Sequence, residues 1–289
     1  MIAIVGGLGA ALCWATATLI SSRSSRIIGS NSTTAWMMFV GMLTAGPLAL
    51  LAGPLPEVKP EILPWLAASA GGGVLGILFC YKGYRLGKVG VVAALTSTEG
   101  AIAAVLSVVA GERLTPAVAV VLLALAAGVA FVALTAGDQG KHAHTPEEAR
   151  REREGALYGA LAALVFGISI YGTAQLGKSL TPFAAVLPVR VFGTLVVFLP
   201  LLATGRLRLT RRTLPMVIVI GSFEVFGNAL FVVGSGESIA VTAVLASQFA
   251  AVTALAAFLI FKERLTIKQG SGVVAIAICV AALTLVRSL

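Results

Sequence analysis

Glu112-Arg113-Leu114-Thr115 returns 151 positions later as Glu263-Arg264-Leu265-Thr266, and apolar stretches flank both copies. The same offset carries Leu63-Pro64 onto Leu214-Pro215, Gly76 onto Gly227 and Gly83 onto Gly234. An offset of 152 carries Gly7, Leu12 and Trp14 onto Gly159, Leu164 and Phe166, and Gly41 onto Gly193. Self-similarity at one fixed spacing marks a chain built by duplication. The halves read as residues 1–136 and 155–289, joined by 137–154.

The composition sets the solvent. Of 289 residues, 58% are hydrophobic and only 11% charged, with a mean hydropathy of +0.99. A soluble domain carries about 25% charged residues. A bilayer core of about 30 Å takes about 20 apolar residues per helix. Runs near 2–22, 33–52, 63–81, 89–110, 116–136, 155–176, 183–203, 214–234, 238–261 and 269–286 predict ten such helices. Five spans per copy is an odd number, so the second copy enters the membrane from the opposite side. The expected fold is an all-α integral membrane protein with ten transmembrane helices in two inverted five-helix repeats. The 32 glycines suit close packing in lipid, as in the small-xxx-small pairs Gly72/Gly76, Gly83/Gly87 and Gly155/Gly159.

A net charge of +9 would fit a nucleic-acid binder if it were gathered on one soluble face. It is spread over loops instead. Those on the side away from the termini hold sixteen lysines and arginines, from Arg23 to Lys268, and those on the termini's side hold four. The positive-inside rule makes the basic side cytoplasmic and turns both termini outward, to the periplasmic side of an inner membrane. No cleavable signal is evident, because the first span lacks a basic lead and is followed directly by Arg23 and Arg26. In the joining segment, Thr145-Pro146-Glu147-Glu148 has a helix-start pattern: a capping Thr, Pro at the first position and Glu three after the cap.

Enzyme chemistry finds no support. Cys13, Cys80 and Cys279 lie in apolar spans, and their odd number argues against a disulfide framework. His142 and His144 share a polar loop without a third ligand, so no metal is expected. The Gly71-Gly72-Gly73 run lacks a phosphate loop's lysine. No cofactor is expected.

Three ionisable residues fall inside predicted spans: Glu99 in the fourth, Arg190 in the seventh, just past Pro188, and Glu224 in the eighth. Charge at that depth is costly, and it is a functional candidate by default. One glutamate is expected to pair with the arginine, since an unpaired buried charge is expensive. The other is then left to bind a cation or carry a proton. Neither glutamate has a mate in the repeat: Glu99 aligns with Ala250, and Glu224 with Gly73. Trp14, Tyr81, Ser247, Gln248 and Asn228 join the candidate substrate-binding or coupling residues. Asn228 is four residues past Glu224 and therefore on the same helical face. Trp36, Tyr84 and Tyr171 are further candidates for the central cavity, with interfacial anchoring the alternative that suits Trp36, Trp65 and Tyr84 near span ends.

The ten spans, the paired Glu-Arg-Leu-Thr segments and the Trp14/Phe166 position together resemble the drug/metabolite transporter superfamily, and within it the EamA-type ten-helix carriers. Arg190 resembles an arginine often found in the second helix of such a repeat, although the matching position in the first copy is Met38. The resemblance implies a secondary transporter of small metabolites in the inner membrane, working by alternating access. Export of amino acids or amine-type compounds is the leading expectation. A flippase of lipid-linked head groups is the alternative, with a non-transporting receptor behind it. The implied partners are a small-molecule substrate, membrane lipid and a coupling proton, without nucleic acid, in a monomer or homodimer.

Overall fold

The computed structural model describes residues 1–53, 59–86, 92, 95–124, 127, 146–249 and 251–253. Outside them lie span ten, the second Glu-Arg-Leu-Thr copy, Cys279, His142, His144 and the first half of the joining segment, 137–145.

The described residues contain no strands. The helices are α1 (Ile2–Ile28), α2 (Ser30–Leu51), α3 (Leu63–Leu86), α4 (Glu99–Val109), α5 (Pro146–Leu176), α6 (Pro182–Gly193), α7 (Leu199–Ala203), α8 (Leu214–Ser235) and α9 (Ile239–Ala246). Residues 116–124 are also helical. Among the described residues, six segments are long and apolar enough to cross a membrane: α1, α2, Pro60–Tyr84, Arg150–Leu176, Pro182–Ala203 and α8. At 1.5 Å per residue, the 27 residues of α1 reach about 40 Å, ample for a bilayer core.

Prolines shape two of these helices. α2 runs through Pro47, and α6 through Pro188. Between α6 and α7 the chain makes a π-helical turn, Thr194–Phe198, with Leu199 N–H donating to Thr194 O. Pro200 causes it, because a proline cannot donate to the carbonyl four residues back and its ring crowds that carbonyl. The ladder therefore widens just before it. The ring of Phe198, in this turn, stacks on Phe39 at 4.3 Å.

The helices of one half pack mainly on those of the other. α1 lies along α8, and α5 along α3; α2 packs on α6, and α4 on α9. At Gly6, a methyl would fall 2.7 Å from Gly234 Cα and from Leu230 O, so α1 and α8 touch backbone to backbone. At Gly76 it would fall 2.5 Å from the Phe166 ring, and at Gly227 it would fall 2.8 Å from Trp14 Cδ1. Two positions equivalent by the sequence offset thus make equivalent contacts. The α3–α5 seam also carries a polar stitch, with Ser69 Oγ 2.7 Å from Thr173 Oγ1 and Ser169 Oγ donating to Ser69 O at 2.7 Å. Such hydroxyl pairs hold helices together where the hydrophobic effect cannot, because lipid is as apolar as leucine.

Two predicted spans are interrupted, which corrects the expectation of continuous helices at 89–110 and 238–261. Span four turns at Ser97-Thr98, and α4 starts only at Glu99. Span nine turns at Ser247-Gln248, where α9 stops. The cause is local competition for backbone carbonyls. Thr98 Oγ1 donates to Leu95 O at 2.7 Å, and Thr98 N–H returns to the same carbonyl at 3.1 Å. In span nine, Ser247 Oγ and Gln248 Nε2 both donate to Val244 O, at 2.8 and 2.9 Å. The two breaks meet. A methyl at Gly100 would lie 2.3 Å from Ala243 O and 2.7 Å from Ser247 Cβ, so only glycine lets α4 approach α9 there.

Candidate functional site

Arg190 and Glu224 pair. The Arg190 Nη2 group donates to Glu224 Oε2 at 3.2 Å and to Glu224 O at 3.3 Å. Asn228 Nδ2 donates to the same carbonyl at 2.7 Å, one turn along α8. The arginine is 3% exposed and the glutamate 23%. Burying the guanidinium requires a groove, and Gly41 on α2 supplies it, since a methyl there would fall 2.9 Å from Arg190 Cδ. Arg190 Nη1 also lies 3.8 Å from Met38 Sδ, while Arg190 Nε has no partner among the described residues.

Glu99 is different. As the first residue of α4 it follows the break rather than sitting within a continuous helix. It is 7% exposed. Its carboxylate has no hydrogen bond or ion pair among the described residues. Glu224 is within reach of its charge. The pair on α6 and α8 is neutral as a unit, so Glu99 is the ionisable group of the site left without a counter-charge among the described residues.

The other candidates distribute around these groups. Tyr81 Oη is hydrogen-bonded to Thr34 Oγ1, tying α3 to α2, and Tyr81 and Cys13 are both within reach of the Glu224 charge. Trp14 stacks on Phe231 at 6.2 Å and meets Phe249 edge-on at 6.1 Å. Its Nε1 is buried without a hydrogen-bond partner among the described residues. Gln248 is 1% exposed, and its Oε1 is likewise unpartnered. Because its amide nitrogen must be the atom that donates to Val244 O, the oxygen is the free end. Ser247 spends its proton on its own helix but stands against Gly100, next to Glu99. The site therefore has a carboxylate and an amide oxygen near the α4–α9 crossing, and a buried ion pair on α6 and α8.

Some residues go elsewhere. Trp36 Nε1 donates to Arg208 O at 3.0 Å, at the end of the bundle that holds the arginine loop. Tyr84, at the end of the apolar segment Pro60–Tyr84, lies beside Cys80, within reach of Glu99. Tyr171 is not in the centre. It faces Trp65 edge-on at 5.7 Å and lines a cavity at the opposite end of the bundle from Arg208.

Sequence reasoning missed the task of Glu112. Its carboxylate accepts from Ser238 Oγ and, at 3.2 Å, from Ala240 N–H, capping the start of α9 across the repeat boundary. The duplicated Glu-Arg-Leu-Thr segment was the available signal, since helix N-termini attract carboxylates. Thr34 and Met38 were also missed. Nothing in a one-dimensional reading marks Thr34 as the partner of the Tyr81 hydroxyl, and the repeat offset that matches Met38 to Arg190 does not say that the two side chains touch.

The model of the EamA-like transporter family matches residues 1–134 and 153–285. The chain belongs to that family. It is a multi-pass membrane protein of a family whose members are transporters of small molecules. Among curated proteins, no relative matches it. Twenty-nine chains of solved structures match it. One is a crystal structure of a protein 17% identical, which superposes with a TM-score of 0.77 over 98% of this chain and 96% of its own. At that identity the likeness shows the fold alone.

Proposed function

We propose that this EamA-family chain is a secondary transporter that exports amino acids or amine-type metabolites across an inner membrane by alternating access. Two inverted five-helix repeats, 1–136 and 155–289, rock about a central site, with 137–154 as their cytoplasmic tether and both termini outside. The observation that carries the reading is Glu99, a buried carboxylate with no partner among the described residues, within reach of a second glutamate that is already paired. A carboxylate held out of water in a protein is an expensive object. It is supported only if something positive visits it.

The visitor is either the substrate's ammonium or the coupling proton. Glu99 and Gln248 Oε1 offer acceptors near the crossing of two broken helices, the arrangement in which repeat-built carriers place substrate and ion sites. The Arg190–Glu224 pair tethers α6 to α8 and stays closed while Glu99 is charged or loaded. Trp14 packs one wall with its ring.

Proteoliposome currents on a solid-supported membrane test this. Basic and neutral amino acids and quaternary amines are offered at two pH values to wild type, Glu99→Gln and Glu224→Gln. Substrate-dependent currents in wild type that vanish in Glu99→Gln are expected. Full flux of the same substrates in Glu99→Gln overturns the role given to Glu99.

A further inference from the structure

A cavity of about 330 Å³ opens at the end of the bundle away from the arginine loops, between α4, α5 and the α8–α9 turn. It is separate from the Glu99 site, and its walls differ in charge. Tyr171 and Gln175 line it from one face of α5, at the i, i+4 spacing, and Lys178 extends that line into the turn that follows. Glu112 and Ser107 also line it, as does Glu237, whose carboxylate is already paired with the Met1 ammonium at 2.9 Å and accepts from Ala3 N–H at 3.0 Å.

Tyr171 is 8% exposed, yet its hydroxyl engages no hydrogen-bond partner among the described residues and borders the cavity. The side-chain amide of Gln175 is also unengaged among the described residues. Glu112 uses its two oxygens to cap α9, with one bond from Ser238 Oγ and one from Ala240 N–H. A carboxylate accepts about four hydrogen bonds, so it keeps capacity for another donor. One wall thus offers donors, and the other offers acceptors. The volume is at the lower end of small-molecule sites.

We propose that this vestibule is a second binding site, for a small zwitterion whose carboxylate meets Tyr171, Gln175 and Lys178 and whose ammonium faces Glu112. It rests on the transporter reading, in which it is the station between the central site and the outer solution. An electrostatically divided pocket selects molecules bearing both charges over those bearing either one.

Saturation-transfer NMR on the full chain in nanodiscs tests the assignment with three probes: L-leucine, L-leucinamide and 4-methylpentanoate. The first carries both charges, the second only the ammonium and the third only the carboxylate. Leucine is expected to bind at least tenfold tighter than either analogue, both to wild type and to Glu99→Gln. Tyr171→Phe combined with Gln175→Leu, made in the Glu99→Gln background so that the central site does not contribute, is expected to weaken leucine at least tenfold while leaving thermal unfolding unchanged. Lys178→Gln, an exposed change with little bearing on folding, is expected to narrow the gap between leucine and leucinamide. Leucine binding that survives the double change in the Glu99→Gln background, that is lost in Glu99→Gln alone, or that is absent from wild type overturns the proposal. Loss of flux in Glu99→Gln is a separate readout, so the vestibule and the central site fail independently.

Discussion

Arg190 and Met38 touch, with Nη1 3.8 Å from Sδ, although 152 residues separate them. By the sequence offset they are the same position in the two halves. Each also lies on the other half's glycine: Arg190 on Gly41, and Met38 on Gly193. Equivalent positions can touch each other only at the axis that relates them. The chain has therefore put its buried arginine on that axis, in one copy only.

Arg190→Met makes the two copies alike at this point and leaves Glu224 without its partner. Breaking a buried pair from one side costs about 3 kcal/mol. The double change Arg190→Met with Glu224→Gln is expected to return within about 1 kcal/mol of wild type, since removing both partners also removes the unpaired charge. Thermal unfolding in detergent across the four proteins checks this. Both variants are expected to lose flux.

Glu99→Gln behaves in the opposite way. The carboxylate has no bond among the described residues to lose, so stability is expected to hold or to rise by about 1 kcal/mol as a buried charge becomes neutral. Transport is expected to fall by at least an order of magnitude. A large drop in unfolding temperature would mean that Glu99 holds the fold together.

Gly76→Ala places a methyl 2.5 Å from the Phe166 ring, and Gly227→Ala places one 2.8 Å from Trp14. Overpacking of this kind costs about 1–3 kcal/mol. Pairing Gly76→Ala with Phe166→Leu is expected to recover part of the loss, which differential scanning measures directly.

Glu112→Ala removes both bonds that the carboxylate makes to the start of α9. Loss of a helix cap costs about 1 kcal/mol. The effect is expected in hydrogen exchange at Ile239–Val241 before it is visible in global unfolding. Unchanged exchange there would show that the cap is idle.

The sequence was readable where chemistry repeats along one dimension. Six long apolar helices, the odd buried charges and the Glu-Arg-Leu-Thr segment all stand out without coordinates. The breaks in spans four and nine do not. Thr98, Ser247 and Gln248 are ordinary residues in apolar surroundings, with no proline or glycine at the turn itself, and hydropathy averages across them. What decides the break is which carbonyl each side chain takes. Charge counting anticipated that one glutamate would pair with Arg190, but the choice of Glu224 depends on α6 lying beside α8. The residue type of Tyr171 suggests the centre, whereas its height along α5 puts it at the end of the bundle away from Arg208.

The neutrality of the Arg190–Glu224 unit has an electrical consequence. If these three residues carry the site's charge, its valence is set by Glu99 alone: negative when bare, zero when a proton or a monovalent cation is bound. A transmembrane voltage does work of about 2.3 kcal/mol per elementary charge for each 100 mV. It can act only on the half of the cycle in which Glu99 crosses the barrier bare, so the empty carrier, and not the loaded one, is the form that the membrane potential drives.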